Sequence, residues 1–205
     1  MTFLTLRQAA IRSDITFAAL QKIVSAGLIS AATSNGDKPS IPADVAERIR
    51  ARTTVPLHRA LPTTIDGTSV AVLRVSVATP VPDNDRRFIG FHADLTPGEL
   101  LEALRGWWVG KPEKIARAGI LPVTLGGFVV AVLTGLNSWE TKLTDDGLVR
   151  HRFDARLAGY ISDLDMATNM VMIGSDADLR IADQFLGKRL KSTSGGPIAY
   201  VPIAD

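Results

Sequence analysis

The sequence predicts an α+β fold in two unequal parts: a small helix-rich unit over residues 1–54, a linker over 55–64, and a β-rich unit over 65–205. Three observations predict it. Apolar residues recur at helical spacing between capping residues through the first fifty positions. A stretch rich in threonine and carrying Pro56 and Pro62 follows. Beyond it, short apolar runs alternate with glycine-containing turns, the pattern of strands.

In the first part, Thr5 is placed to cap a helix reaching Arg12, with Leu6, Ala9 and Ala10 as its apolar stripe. Ser13-Asp14 supplies turn chemistry. Thr16 caps a second helix to about Ser25, in which Phe17, Leu20, Ile23 and Val24 share a face, and Gly27 stops it. Residues 28–32 and 40–42 flank Ser34-Asn35-Gly36-Asp37, a hairpin turn signal. A third helix is expected from Pro42 to Arg52.

In the second part, strands are expected over 69–77, 88–91, 120–125, 128–134, 149–157, 170–173 and 198–203. Thr96-Pro97-Gly98-Glu99 has the capping-box pattern with proline at the first helical position, opening a helix to about Arg105. Gly126-Gly127 joins two strands as a hairpin, and a helix runs from Asp176 to about Leu186. Many strands with two or three helices suggest a partly closed barrel or a strongly bent sheet.

Composition narrows the function classes. With 46% hydrophobic and 21% charged residues, the 205-residue chain is expected to bury a substantial core. No window reaches the roughly 18 apolar residues of a membrane span, and Arg7 and Arg12 interrupt any signal-peptide pattern. A cytoplasmic protein without membrane contact is the expectation. The absence of cysteine excludes disulfides, thiolate metal sites and a cysteine nucleophile. Charge is uneven: residues 1–54 hold seven Lys/Arg against four acids, whereas the rest sums to −1 and has its basic run at Lys188-Arg189-Leu190-Lys191.

Helix, turn, helix, hairpin, helix, with Leu6 to Ala10, Gly27 to Ile29 and Ile41 to Val45 at its joints, resembles the excisionase and MerR-type winged helix-turn-helix domains. The resemblance implies contact with duplex DNA through the second helix. The candidate DNA-binding residues are Arg7, Arg12, Thr16, Gln21, Lys22 and Lys38. Gln21 suits adenine and Lys22 guanine or phosphate. The second helix has no arginine and the hairpin tip carries Lys38 alone, so about four phosphates would be neutralised and the logarithmic salt slope would be about −3.6.

All three tryptophans lie in the second part. Arg105-Gly106-Trp107-Trp108, a short helix, the Gly126-Gly127 hairpin, Ser138-Trp139-Glu140, Arg152-Phe153, Gly187-Lys188-Arg189 and Gly196 to Val201 follow in an order that resembles PUA-like β-barrel domains, the superfamily of the ASCH, EVE and YTH readers. The resemblance implies recognition of RNA or of a flipped or modified base. Trp107, Trp108 and Trp139 would stack on the base, and Arg105, Lys188 and Arg189 would hold phosphate. Core packing is the competing role for each tryptophan.

The expected function is therefore that of a DNA-binding regulator whose second part adds a nucleic-acid or effector contact. No catalytic residue, metal or cofactor is expected. A protein-interaction module that has lost DNA contact is the alternative, a metal-dependent nuclease is the second, and a homodimer stays among the partners left open. Glu140-x-Lys142 is a fragment of a metal-dependent nuclease pattern, for which Asp94 is the nearest further acid. His58, His92 and His151 show no ligand spacing. Asp163-x-Asp165 and Asp176-x-Asp178 suit a turn and a helix N-terminus.

Overall fold

The computed structural model describes residues 2–35, 38–61, 69–82, 86–166, 169–193 and 196–203. The first part contains β1 (Phe3–Thr5), α1 (Leu6–Ser13), α2 (Phe17–Ser25), β2 (Thr33–Asn35), β3 (Lys38–Pro42) and α3 (Ala43–Arg50). Its three strands form an antiparallel sheet in the order β1-β3-β2. Thr5 closes a capping box with Gln8, and Thr16 accepts from the Ala19 amide, so both helix starts are where their side-chain chemistry puts them. Asn35 lies opposite Lys38 in register, while Gly36-Asp37 of the expected turn lie outside the described residues.

Both helix stops of the pair are Schellman motifs. At α2, Leu28 donates to the Ile23 carbonyl and Gly27 to that of Val24, with Gly27 left-handed at φ 73. At α1, Ile15 donates to Ala10 and Asp14 to Ile11, with Asp14 at φ 55 in the role glycine usually fills.

The second part begins with α4 (Leu57–Ala60), a short helix inside the expected linker whose Leu57 and Ala60 are buried. Positions 62–64 of that linker lie outside the described residues. Then come β4 (Ser69–Arg74), β5 (Thr79–Pro80), β6 (Phe88–Ile89), α5 (Pro97–Leu104), α6 (Pro112–Ala116), β7 (Ile120–Leu125), β8 (Phe128–Leu143), β9 (Val149–Ile161), β10 (Met170–Met172), α7 (Asp176–Phe185) and β11 (Ile198–Pro202).

Six strands make one mixed sheet in the order β10-β9-β8-β7-β4-β11, parallel only between β4 and β7. The sheet is open, with β10 and β11 at its two edges. That corrects the expected partly closed barrel: the chain returns its last strand to β4 instead of joining β10. All of β7 and β8 from Phe128 to Thr134 are buried, because helices and loops cover both faces of the central strands. Past Gly135, at φ 71, the β8–β9 register shifts and the pair continues as a two-stranded ribbon. Among the described residues no helix is long and apolar enough to cross a membrane.

Apolar side chains of both parts belong to a single contiguous buried cluster. Polar contacts lock the same joint. Leu164 donates to the Leu28 carbonyl at 2.8 Å and Ala93 to that of Ala26 at 2.9 Å. Buried Asp163 accepts from the Ser30 hydroxyl and amide, and Arg48 pairs with Asp165 at 2.6 Å.

Asp176-x-Asp178 sits at the α7 N-terminus as expected, and Asp178 closes a capping box with Ser175. Burial raises the Asp178 pKa, but the hydrogen bonds of Arg156 and Ser175 oppose it, and the carboxyl is held at about 2, down from 3.8. A lowered folded-state pKa stabilises above the unfolded value and ceases to do so as pH falls through the folded one. Asp178 is therefore expected to contribute about 2 kcal/mol at neutral pH, lost between about pH 4 and pH 2. Urea midpoints of Asp178→Asn and the parent should differ at pH 7 and converge at pH 2.

Candidate nucleic-acid interface

The second helix divides cleanly into a buried and an open face. Leu20 and Ile23 are fully buried, whereas Phe17, Ala18, Gln21, Lys22 and Ser25 are exposed. No acidic residue occurs anywhere in α2. The guanidinium of Arg7 lies 5.7 Å from the Phe17 ring, which carries a further cation to the edge of the open face.

The other sequence-predicted positions on this side are scattered in role. Arg12 reaches across to Glu47 of α3 at 2.6 Å, with both side chains about half exposed, so its charge is partly compensated. The Thr16 hydroxyl is engaged in capping α2. Lys38 is exposed at the start of β3. Among the described residues, Arg7, Lys22 and Lys38 make no ion pair.

Below α2 lies the β7–β8 turn. Gly126 has φ 61, and a Cβ there would come within 3.0 Å of Ile23 and 3.1 Å of the Ala19 carbonyl, so glycine is what lets the turn seat against the helix. Beside this contact opens a cleft of about 740 Å³ lined by Lys22, Arg74 and Lys191, with Ser76, Ser192 and Thr193 among its hydroxyl residues. No acid is among its described lining residues. A second cavity of about 540 Å³ adjoins it and shares Thr16, Ala19, Gly126, Gly127 and Lys191. Its other wall is mostly apolar, with Ala10, Ile11 and Ile15, although Asp14 also borders it.

Sequence reasoning did not select Arg74 or Lys191. Lys191 had a signal in the basic run it closes. Arg74 had none, because only the parallel pairing of β4 with β7 brings the end of β4 beside the β7–β8 turn.

The six residues expected to form a second nucleic-acid site are not brought together. Arg105 and Trp139 share a cleft of about 400 Å³ with Arg152, Glu140 and Asp154. Its charges are matched, Arg105 with Glu102 at 3.0 Å and Arg152 with Glu140 at 3.1 Å. Trp139 keeps part of its surface and leans on Phe153 at 6.2 Å between centroids. Trp107 and Trp108 are each 6% exposed. Their segment pairs with the ribbon strand β9 through Trp108–His151 and Phe153–Arg105 backbone bonds. The Trp108 indole N–H donates to the Leu104 carbonyl at 2.7 Å, and the Trp107 ring lies against the Lys142 ammonium at 4.3 Å. These are packing roles.

Lys188 and Arg189 serve helix ends. The Lys188 ammonium donates to the carbonyls of Asp183 and Gln184 near the end of α7. Arg189 donates to Ser13 and Asp14 at the end of α1 and to Ile49 at the end of α3. Cations at these positions also complement the negative end of the helix dipole.

Glu140, of the nuclease fragment, is on the ribbon paired with Arg152, and exposed Asp94 lies beside His92 at 3.6 Å. Among the described residues no three His, Asp or Glu side chains group to hold a metal ion. No family model, no curated protein and no solved structure matches the chain.

Proposed function

We propose that the protein binds duplex DNA through the open face of α2 and acts as a regulator, with α1 to α3 and the β2–β3 hairpin working as a winged helix-turn-helix. The observation that carries this reading is the acid-free outer face of α2, with Gln21 and Lys22 projecting from a helix fixed at both ends and along its back. A B-DNA major groove about 12 Å wide admits one helix. Rigid backing matters because base-edge hydrogen bonds tolerate little misplacement. Lys22 with Arg7 and Lys38 supplies phosphate contacts, which fix orientation without reading sequence.

The test is a duplex gel-shift series across salt concentrations. The parent is expected to bind with a logarithmic salt slope of about −2.7. Joint Gln21→Ala and Lys22→Ala substitution should weaken binding by about tenfold to a hundredfold at low salt. Unchanged affinity in that variant removes α2 from the interface.

One observation favours the assembly alternative. The tip of the β8–β9 ribbon exposes Leu143, Leu148 and Val149, at 72%, 44% and 48%. Apolar tips of this kind suit a protein contact. In the same series that reading gives no retention of the parent on any duplex, even at low salt.

A further inference from the structure

The joint between α2 and the β7–β8 turn carries a feature that a helix lying in a DNA groove does not use. Two cavities meet there, and they differ in chemistry. One is lined by Lys22, Arg74 and Lys191 with five hydroxyl side chains and, among the described residues, no acid. The other is walled mainly by Ala10, Ile11 and Ile15. Ile11 is 83% exposed although it belongs to a helix whose other face is packed, so its apolar surface is unaccounted for by the core. Each volume, about 740 and 540 Å³, lies in the range of small-molecule sites, roughly 300–1,000 Å³. A duplex about 20 Å across does not fit into spaces of this size.

We infer that this paired cleft binds a small organic phosphate whose flat aromatic ring lays its face on the apolar wall, of the class of a nucleoside monophosphate. The phosphate lies among Lys22, Arg74 and Lys191, where charge-assisted hydrogen bonds are strongest. The positive end of the α2 dipole at Phe17 and Ala18 points the same way in charge, the Ala19 amide being taken by the Thr16 hydroxyl. The body lies over the Gly126-Gly127 turn toward Ile11 and Ile15. Gly127 suits that placement, since nothing comes within 4 Å of where its Cβ would stand and the backbone is open to a ligand. Lys22 belongs to both the cleft and the open face of α2. Where the DNA reading above holds, an occupied cleft draws Lys22 inward and weakens duplex binding.

The experiment is calorimetric titration of the full chain with adenosine 5′-monophosphate, adenosine and inorganic phosphate. Saturable binding of the monophosphate is expected, with each of the other two weaker by about tenfold or more. Lys191 and Gln21 are exposed, so their variants should keep the parent's thermal midpoint. Arg74→Glu and Lys191→Glu should each weaken the monophosphate by about tenfold or more. Gln21→Ala should leave it unchanged, because Gln21 does not line the cleft. Absence of monophosphate binding, equal binding of inorganic phosphate, or unchanged affinity in the glutamate variants overturns the inference. Failure here with duplex binding intact leaves the α2 reading standing. Loss of duplex binding alone in Gln21→Ala leaves the cleft standing.

Discussion

Replacing Phe128 with alanine is expected to lower the unfolding free energy by about 3–5 kcal/mol. Phe128 opens β8, is 1% exposed, and pairs with Leu125 across the turn that supports α2. Its backbone bridges to Arg189, whose guanidinium lies 5.1 Å from the ring centroid. Removing the ring loses its transfer free energy and leaves a void among residues of both parts of the chain. The cavity beside it admits water, which moves the expected cost toward the lower end of that range. Urea unfolding followed by tryptophan fluorescence and by far-ultraviolet circular dichroism should shift together. A loss below about 1 kcal/mol would show that the joint collapses around the missing ring.

Arg189→Met should cost about 2–4 kcal/mol. Methionine keeps an apolar stem but withdraws the donors from three carbonyls at the ends of α1 and α3. Charge-assisted bonds contribute more than neutral ones, and a half-buried site screens them only in part. Arg189→Lys should recover a minority of the loss, because an ammonium cannot fork across carbonyls on two helices as the planar guanidinium does. Phe128 and Arg189 touch, so the double variant should cost less than the two single losses added, by about 0.5–3 kcal/mol. Strict additivity would mean that the ring and the guanidinium act separately.

What could be read from the chain follows the range of the interactions involved. Thr5, Thr16, Thr96 and Ser175 start helices by bonds to amides three residues on, and Gly27 ends one within two residues, so α1, α2, α5, α7 and the end of α2 were visible locally. The strands on either side of Gly126-Gly127 were visible for the same reason. By contrast, β1 is three residues long and exists through pairing with β3 some 37 positions later (Thr5 with Ser40 at the near end, Phe3 with Pro42 at the far end). β8 runs to Leu143, past the Gly135 break, because β9 continues alongside it. Sheet order and openness depend on where β11 returns, which no local pattern encodes.

The candidate site divides the same way. Gln21 and Lys22 could be placed on one helix face by periodicity alone, and both are exposed. Trp107 and Trp108 could not be told from stacking residues, since burial against β9 is a long-range property. Lys188 and Arg189 read as phosphate ligands because carbonyl acceptors at helix ends carry no sequence mark. Arg74 and Lys191 meet only through the fold.

The three bonds from Arg189 also bear on how the chain is made. Synthesis runs from the N-terminus, and α1 emerges some 175 positions before the side chain that finishes its end. Until residue 189 is made, the carbonyls at the ends of α1 and α3 therefore lack the guanidinium that they accept from in the folded chain. A nascent chain stalled or cut before residue 189 lacks the clamp across the ends of α1 and α3. Synthesis of residue 189 is thus the step after which the ends of α1 and α3 can be joined beneath the surface proposed to meet DNA.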